Sequence, residues 1–125
     1  MNAQEMTTTQ LSPDEILSSI GDIMHLLLLW GHDIVVVTYG WACKLPMDQL
    51  WQPHEIQTQS LASFIRRSVN DGIFHLGGSD LHIEDRAGTF EFKLCHESDI
   101  HFKSVDQSQV AQVIEEWTRI SRKCF

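Results

Sequence analysis

The chain has few cysteines and no long apolar run. Its 125 residues include three cysteines, Cys43, Cys95 and Cys124, which are widely spaced and form no CxxC pair. This spacing argues against a disulfide framework and favours the reduced thiols of a cytosolic protein. The longest apolar run, residues 26–30, is far too short to span a bilayer, and residues 1–10 lack the basic-then-apolar order of a signal peptide. We therefore expect a cytoplasmic protein with no membrane partner.

Positive charge is also scarce. Nine lysines and arginines stand against 17 acidic residues, which gives a formal net charge of −8. Such a surface repels phosphate backbones, so binding of nucleic acid is not expected. It favours encounter with a basic protein partner, although the same charge can also serve only to keep a small domain in solution.

No sequence motif identifies an enzyme. The glycine pair Gly77-Gly78, followed by Ser79, is too short for either nucleotide-binding fingerprint. No serine lies in a GxSxG elbow. The sequence therefore assigns no catalytic residue and predicts no cofactor.

Length and composition predict one folded domain. A chain with 42% hydrophobic and 21% charged residues is typical of a globular protein of this size. We expect a flexible N-terminal tail over residues 1–10 and a single α+β domain over residues 11–125. In that domain three helices pack on one face of a mainly antiparallel sheet, in the order α-β-α-β-β-β-α.

Helix-start signals predict the three helices. Ser12 suits an N-cap and Pro13 the first helical position, so the first helix begins there and ends at Gly31. Pro53 predicts the start of the second helix in the same way. Asp106 is the predicted N-cap of the third helix.

Apolar patterning predicts the strands. Residues 34–39 are rich in β-branched side chains and predict one strand. Residues 79–104 predict a three-stranded meander with turns at residues 85–88 and 95–99. These turns imply a register in which Leu81 lies opposite Phe92. One face of the meander is then apolar and the other polar.

The polar face of the meander contains residue types that bind transition metals, among them His82, His96, His101 and Cys95. The predicted register distributes them over two charge-complementary rows, as on a solvated sheet face: Asp80 with Lys93 and His101, and His82 with Glu91 and Lys103. We therefore predict no metal site. The alternative is a metal- or thiol-dependent enzyme that uses these histidines and Cys95.

Two surfaces are candidates for binding a protein. The long connection at residues 40–51 contains Trp41 and Met47, which are residue types common in interfaces. We predict that they bind the partner together with four acids of the meander turns: Glu84, Asp85, Glu97 and Asp99. The alternative is a homodimer interface on the apolar run, formed by Leu26, Leu29 and Trp30.

The sequence thus favours a small acidic binding protein without catalysis. An inhibitor or immunity-type protein that neutralises a toxin or enzyme fits the size and the charge. The remaining alternative is a structural subunit of a homodimer or of a larger complex.

Overall fold

The structure, a computed structural model, describes residues 3–120, which form one six-stranded antiparallel sheet and three α-helices. Cys124 lies outside these residues. The elements in chain order are β1 (Gln4–Thr7), α1 (Pro13–Leu29), β2 (Ile34–Tyr39), β3 (Pro53–Gln57), α2 (Leu61–Asn70), β4 (Leu81–Glu84), β5 (Phe90–Leu94), β6 (Ile100–Ser104) and α3 (Gln107–Arg119). The strand order in the sheet is β1-β6-β5-β4-β2-β3. The α+β class and the predicted order of elements are confirmed, and strands β1 and β3 are additional.

Helix α1 begins and ends where the sequence predicted. Ser12 Oγ accepts the N–H of Glu15 at 3.1 Å, and the Glu15 carboxylate accepts the N–H of Ser12 at 2.9 Å. This capping box satisfies two N–H groups that would otherwise lack a partner at the helix start. At the other end Gly31 has φ 84°, a left-handed conformation that glycine adopts with little strain. Asp106 caps α3 as predicted, by accepting the N–H of Ser108.

The second helix begins later than predicted. Pro53 starts strand β3, which pairs antiparallel with β2, and α2 begins only at Leu61. The proline signal is ambiguous, because the missing N–H is tolerated both in the first turn of a helix and in the first residue of an edge strand. Gln52 cannot supply the capping oxygen of serine or aspartate, so the strand prevails.

An edge strand lies in the segment that the sequence predicted as a tail. Gln4–Thr7 pair with β6, and Met6 is buried in the core. The contact extends to Thr8, whose N–H donates to the carbonyl of Ile100 and whose hydroxyl accepts the N–H of the same residue, both at 3.0 Å. The expectation of a flexible tail over residues 1–10 is corrected for this part of the chain.

The core lies between the apolar face of the sheet and the helices, all three of which contribute to it. Phe92 is fully buried at its centre, with ring centroids 4.5 Å from Phe102 and 6.2 Å from Trp30. Because inward and outward side chains alternate along each strand, the other face of the sheet carries the polar residues. Within residues 3–120 no helix combines the length and the hydropathy needed to cross a membrane.

Candidate functional site

The polar face is built as predicted, but one strand pair has a different register. In the β5–β6 pair Leu94 lies opposite Ile100, and Phe92 opposite Phe102, as expected. In the β4–β5 pair Leu81 lies opposite Leu94, two residues away from the predicted partner. A shift of two leaves every side chain on its predicted face, because the side-chain period of a strand is two. It changes which polar side chains are neighbours.

The shift originates in the turn between β4 and β5, which Asp85 closes. One carboxylate oxygen of this buried residue accepts the N–H of Thr89 at 2.7 Å and that of Phe90 at 3.3 Å, and the other accepts the Thr89 hydroxyl. The loop is therefore longer than predicted, and Glu84 pairs with Glu91 across it. Because the carboxylate is turned inward and its oxygens are occupied, the prediction of Asp85 as a partner-binding acid is corrected.

The observed register brings metal-ligand side chains together at one end of the polar face. We call them the Cys95 cluster: Asp80, Cys95, His96, Asp99 and His101. One oxygen of Asp80 accepts the N–H of His96 at 2.7 Å and lies 2.8 Å from its Nδ1. The cluster comprises two groups that share the Cys95 sulfur, and in each group the ligand atoms lie within 4.8 Å of one another: Asp80 with Cys95 and His96, and Cys95 with Asp99 and His101.

His101 is held from both sides of its ring. Its Nε2 lies 3.0 Å from Asp99 Oδ1. Its Nδ1 lies 3.1 Å from Glu5 Oε1 and 3.1 Å from Thr7 Oγ1, both on strand β1. These two contacts could not be predicted from the sequence, because they come from the segment that was expected to be a tail.

His82, the third histidine considered as a metal ligand, lies outside the cluster. Its Nδ1 is 3.3 Å from Glu91 Oε1, and its ring packs against Trp51 with a centroid distance of 5.6 Å. Gly40 makes room for this contact, since a Cβ there would lie 2.9 Å from His82 Nε2 and 3.0 Å from the Trp51 ring. His82 therefore supports the base of the connection between β2 and β3.

The two described thiols, Cys43 and Cys95, are both buried. Burial raises the pKa of Cys43 to about 11, and burial together with the nearby Asp99 carboxylate raises the pKa of Cys95 to about 11. A nucleophilic cysteine needs a lowered pKa, because the thiolate is the reactive form. These shifts do not support the thiol-dependent alternative.

The six predicted partner-binding residues lie at two opposite ends of the sheet. Trp41 is 60% exposed and packs against His96 with a centroid distance of 4.9 Å, and Met47 on the same connection is 89% exposed. Glu97 and Asp99 lie in the β5–β6 turn at this end, where Glu97 is exposed and Asp99 contacts His101. The other two acids, Glu84 and Asp85, lie at the far end of β4. The six predicted partner-binding residues therefore do not form one continuous surface.

The sequence did not indicate one exposed tryptophan on this connection. Trp51 is 56% exposed, and its backbone N–H donates to the carbonyl of Tyr39 at 2.9 Å, which fixes the position of its ring over Gly40. The sequence signal that could have indicated Trp51 was the presence of a second tryptophan at the other end of the same connection. We call residues 40–52, with Trp41, Met47 and Trp51 exposed, the tryptophan loop.

The alternative homodimer interface is largely part of the core. Leu26 is buried, and the Trp30 ring packs against the core phenylalanines. Only Leu29 of the three predicted residues is open to solvent, at 61% exposure, next to the partly exposed Leu28. Leu26 is used inside the molecule, whereas Trp30 is only partly buried, so an interface through Leu29 and Trp30 stays a prediction.

The pKa values of Glu84 and Glu91 are shifted in opposite directions, and the shift of Glu84 predicts how its replacement changes stability. Burial and the Glu91 carboxylate raise the pKa of Glu84, whereas the hydrogen bond with His82 lowers the pKa of Glu91. A raised pKa in the folded state means that ionised Glu84 opposes folding at neutral pH. After allowance for solvent screening, Glu84→Gln is expected to raise the free energy of unfolding by a few tenths to about 1 kcal/mol at neutral pH.

Urea denaturation at neutral pH and near pH ~4, where glutamate is largely protonated, tests this expectation. The gain should shrink at the lower pH, because the carboxyl is then neutral in both states. The exposed Glu97, changed to Gln, is the matched control for loss of one negative charge. A loss of stability in Glu84→Gln at neutral pH, or a gain that is the same in both variants, would contradict the assignment.

Comparison of the chain with protein-family models, with curated proteins and with solved structures gave no match in any of the three. Two features at one end of the sheet are therefore the indications of function that this molecule offers within residues 3–120. These are the tryptophan loop and the Cys95 cluster, which meet where Trp41 packs against His96.

Proposed function

We propose that this chain is a non-catalytic binding protein that engages a basic protein partner through the tryptophan loop, as an inhibitor or immunity-type protein would. The observation that carries the proposal is that Trp41, Met47 and Trp51 are all more than half exposed on one connection. Large apolar side chains that share an exposed segment are a common mark of protein interfaces. Tryptophan is also enriched among the residues that contribute most of the binding energy.

The two tryptophans are held in place before any partner binds. Trp41 lies against His96, which the buried carboxylate of Asp80 holds through two contacts. Trp51 lies against His82 over Gly40. Side chains that are already ordered lose little conformational freedom on binding, so more of their contact energy remains as affinity.

The charge of the chain supports a basic partner. The formal net charge is −8, and exposed acids lie beside the exposed apolar side chains: Asp48 in the loop and Glu97 in the β5–β6 turn. Charges at the rim of an interface act mainly on the association rate. Asp85 and Asp99 have close structural contacts, whereas Glu97 is exposed and lies 3.8 Å from His96 Nε2, so Asp48 and Glu97 are the acids to test.

Affinity capture from the native host, followed by binding measurements with the purified partner, tests the proposal. Trp41→Ser combined with Met47→Ser is expected to weaken binding at least about tenfold, because loss of one interface anchor commonly costs 1.4 kcal/mol or more, roughly. Leu28→Ser combined with Leu29→Ser removes two exposed apolar side chains on helix α1 and is the control for loss of apolar surface outside the loop. Equal affinity of the loop variant and the control would refute the role of the loop.

The charge part of the proposal is tested separately. Asp48→Lys combined with Glu97→Lys is expected to slow association with the partner about tenfold at low ionic strength and less at high salt. Glu115→Lys combined with Asp33→Lys, two exposed acids outside the loop, makes the same change in net charge and is the control. An unchanged association rate would refute the role of the acidic surface.

Light scattering that shows a dimer in the wild type and a monomer in the loop variant would instead assign the loop to self-association.

A further inference from the structure

The Cys95 cluster has the ligand chemistry of a transition-metal site. Thiolate, imidazole and carboxylate bind Zn²⁺ and similar ions, whereas Mg²⁺ and Ca²⁺ take oxygen ligands. In each of its two groups the ligand atoms lie within 4.8 Å of one another. Ligands of tetrahedral zinc, with bonds of about 2.0–2.3 Å, lie roughly 3–4 Å apart, so a small closure of side chains would complete the coordination.

The surroundings of His101 make the group of Cys95, Asp99 and His101 the better candidate for a metal site. Where Nδ1 donates to Glu5 Oε1, 3.1 Å away, Nε2 carries the lone pair that can bind a metal, and Asp99 Oδ1 lies 3.0 Å from that nitrogen. Histidines that bind metals usually donate their other ring N–H to a carboxylate in this way, which fixes the tautomer and the ring orientation. His96 differs, because its Nδ1 already lies 2.8 Å from Asp80 Oδ1.

Two lysines lie on this face. Lys93 lies opposite His101, and Lys103 lies opposite Glu5 and Glu91. In the observed register Lys93 is opposite His82 in place of Asp80, so Asp80 leaves the lysine-centred row, while the pairing of Lys93 with His101 is kept. An ion bound at His101 would therefore have Lys93 as a neighbour in the sheet.

We propose that Cys95, Asp99 and His101 bind one divalent transition-metal ion of the zinc type, with Glu5 and Thr7 positioning His101. The fourth coordination position is open to water. Such an ion would link strand β6 and the β5–β6 turn, and through Glu5 it would tie them to strand β1. Binding would replace the thiol proton, which passes to solvent, by the metal. The metal proposal does not rest on the proposed function, because none of its three ligands belongs to the tryptophan loop.

The test uses the full chain, reduced and freed of metal by a chelator, and titrated with Zn²⁺ or Co²⁺. We expect one ion per chain and a rise in the thermal midpoint, because an ion that binds only the folded state stabilises it. With Co²⁺ we expect tetrahedral visible bands and a sulfur-to-cobalt charge-transfer band. A variant with Cys43→Ala and Cys124→Ser, in which Cys95 is the only cysteine, should keep this band.

Variants of the ligand residues show which of the two groups binds the metal ion. Cys95→Ser should abolish the charge-transfer band, and His101→Gln should weaken binding at least about tenfold, whereas His75→Gln, outside the cluster, should leave it unchanged. Glu5→Gln alters only an exposed residue that positions His101, so it should fold normally and still weaken binding by roughly 10–100-fold. Absence of binding at millimolar metal, a band that persists in Cys95→Ser, or an ion that requires His96 but not His101 would overturn the proposal.

Discussion

Replacement of Phe92 by alanine is expected to lower the free energy of unfolding by about 3–5 kcal/mol, the usual cost of removing a large buried aromatic side chain. Phe92 is fully buried, and its ring lies 4.5 Å from Phe102 and 6.3 Å from Phe90. The surrounding rings belong to different strands and to the end of α1, so they cannot all move to fill the cavity. Domains of this size have a total stability of about 5–15 kcal/mol, so the variant would be close to unfolding at ambient temperature.

Urea denaturation followed by circular dichroism measures this loss. Phe92→Leu is the graded control, because it keeps most of the apolar volume and should cost clearly less than the alanine variant. Phe64→Ala is a control for a phenylalanine that is only half-buried. A loss below about 1 kcal/mol for Phe92→Ala would contradict the central position of this ring.

Deletion of residues 2–8 is expected to lower the free energy of unfolding by about 2–4 kcal/mol, through loss of a strand ladder and of two buried side chains, Met6 and Thr8. The deletion removes the pairing of β1 with β6, the buried side chain of Met6 and the hydrogen bonds between Thr8 and Ile100. It also leaves β6 as an unpaired edge, which favours association of chains through their strands. A flexible tail, by contrast, could be removed without any loss of stability.

Two single substitutions separate a strand from a tail without shortening the chain. Met6→Ser places a polar group on the inward side of β1 and should destabilise the fold by about 1–3 kcal/mol. Glu5→Ser changes the neighbouring outward side chain and should have little effect on stability. Urea denaturation measures the free energy of unfolding of both variants. Light scattering tests whether the deletion variant associates. Equal tolerance of the two substitutions would contradict the strand.

Features determined by short segments could be predicted from the sequence. The Ser12-Pro13 start of α1 and the Asp106 cap of α3 depend on residues within one helical turn, and both are present. The apolar and polar faces of the meander follow from alternation alone. Pro53 shows the limit, because the same missing N–H suits a helix start and an edge strand, and only the pairing with β2 decides.

The contact of Asp80 with His96 in the candidate site depended on a feature that alternation cannot specify. A register shift of two residues preserves both faces of a sheet, so the hydrophobic pattern is equally consistent with either register. The choice rests on three hydrogen bonds of Asp85 in the β4–β5 turn. The Cys95 cluster also needs Glu5 and Thr7 from a short strand with one buried apolar residue, Met6, which is too weak a pattern to distinguish from a polar tail.

The pairing of the first strand with the last also constrains how the chain can assemble during synthesis. Thr7 and His101 are 94 positions apart, yet their side chains touch. Strand β1 is made long before β6, so it cannot pair until β6 has also been made, and contacts between such distant residues form slowly because a long loop must close. Helix α1 and the β2–β3 hairpin can form earlier from neighbouring residues. In a newly made molecule, the β1 edge and the cluster beside it therefore form after these local elements.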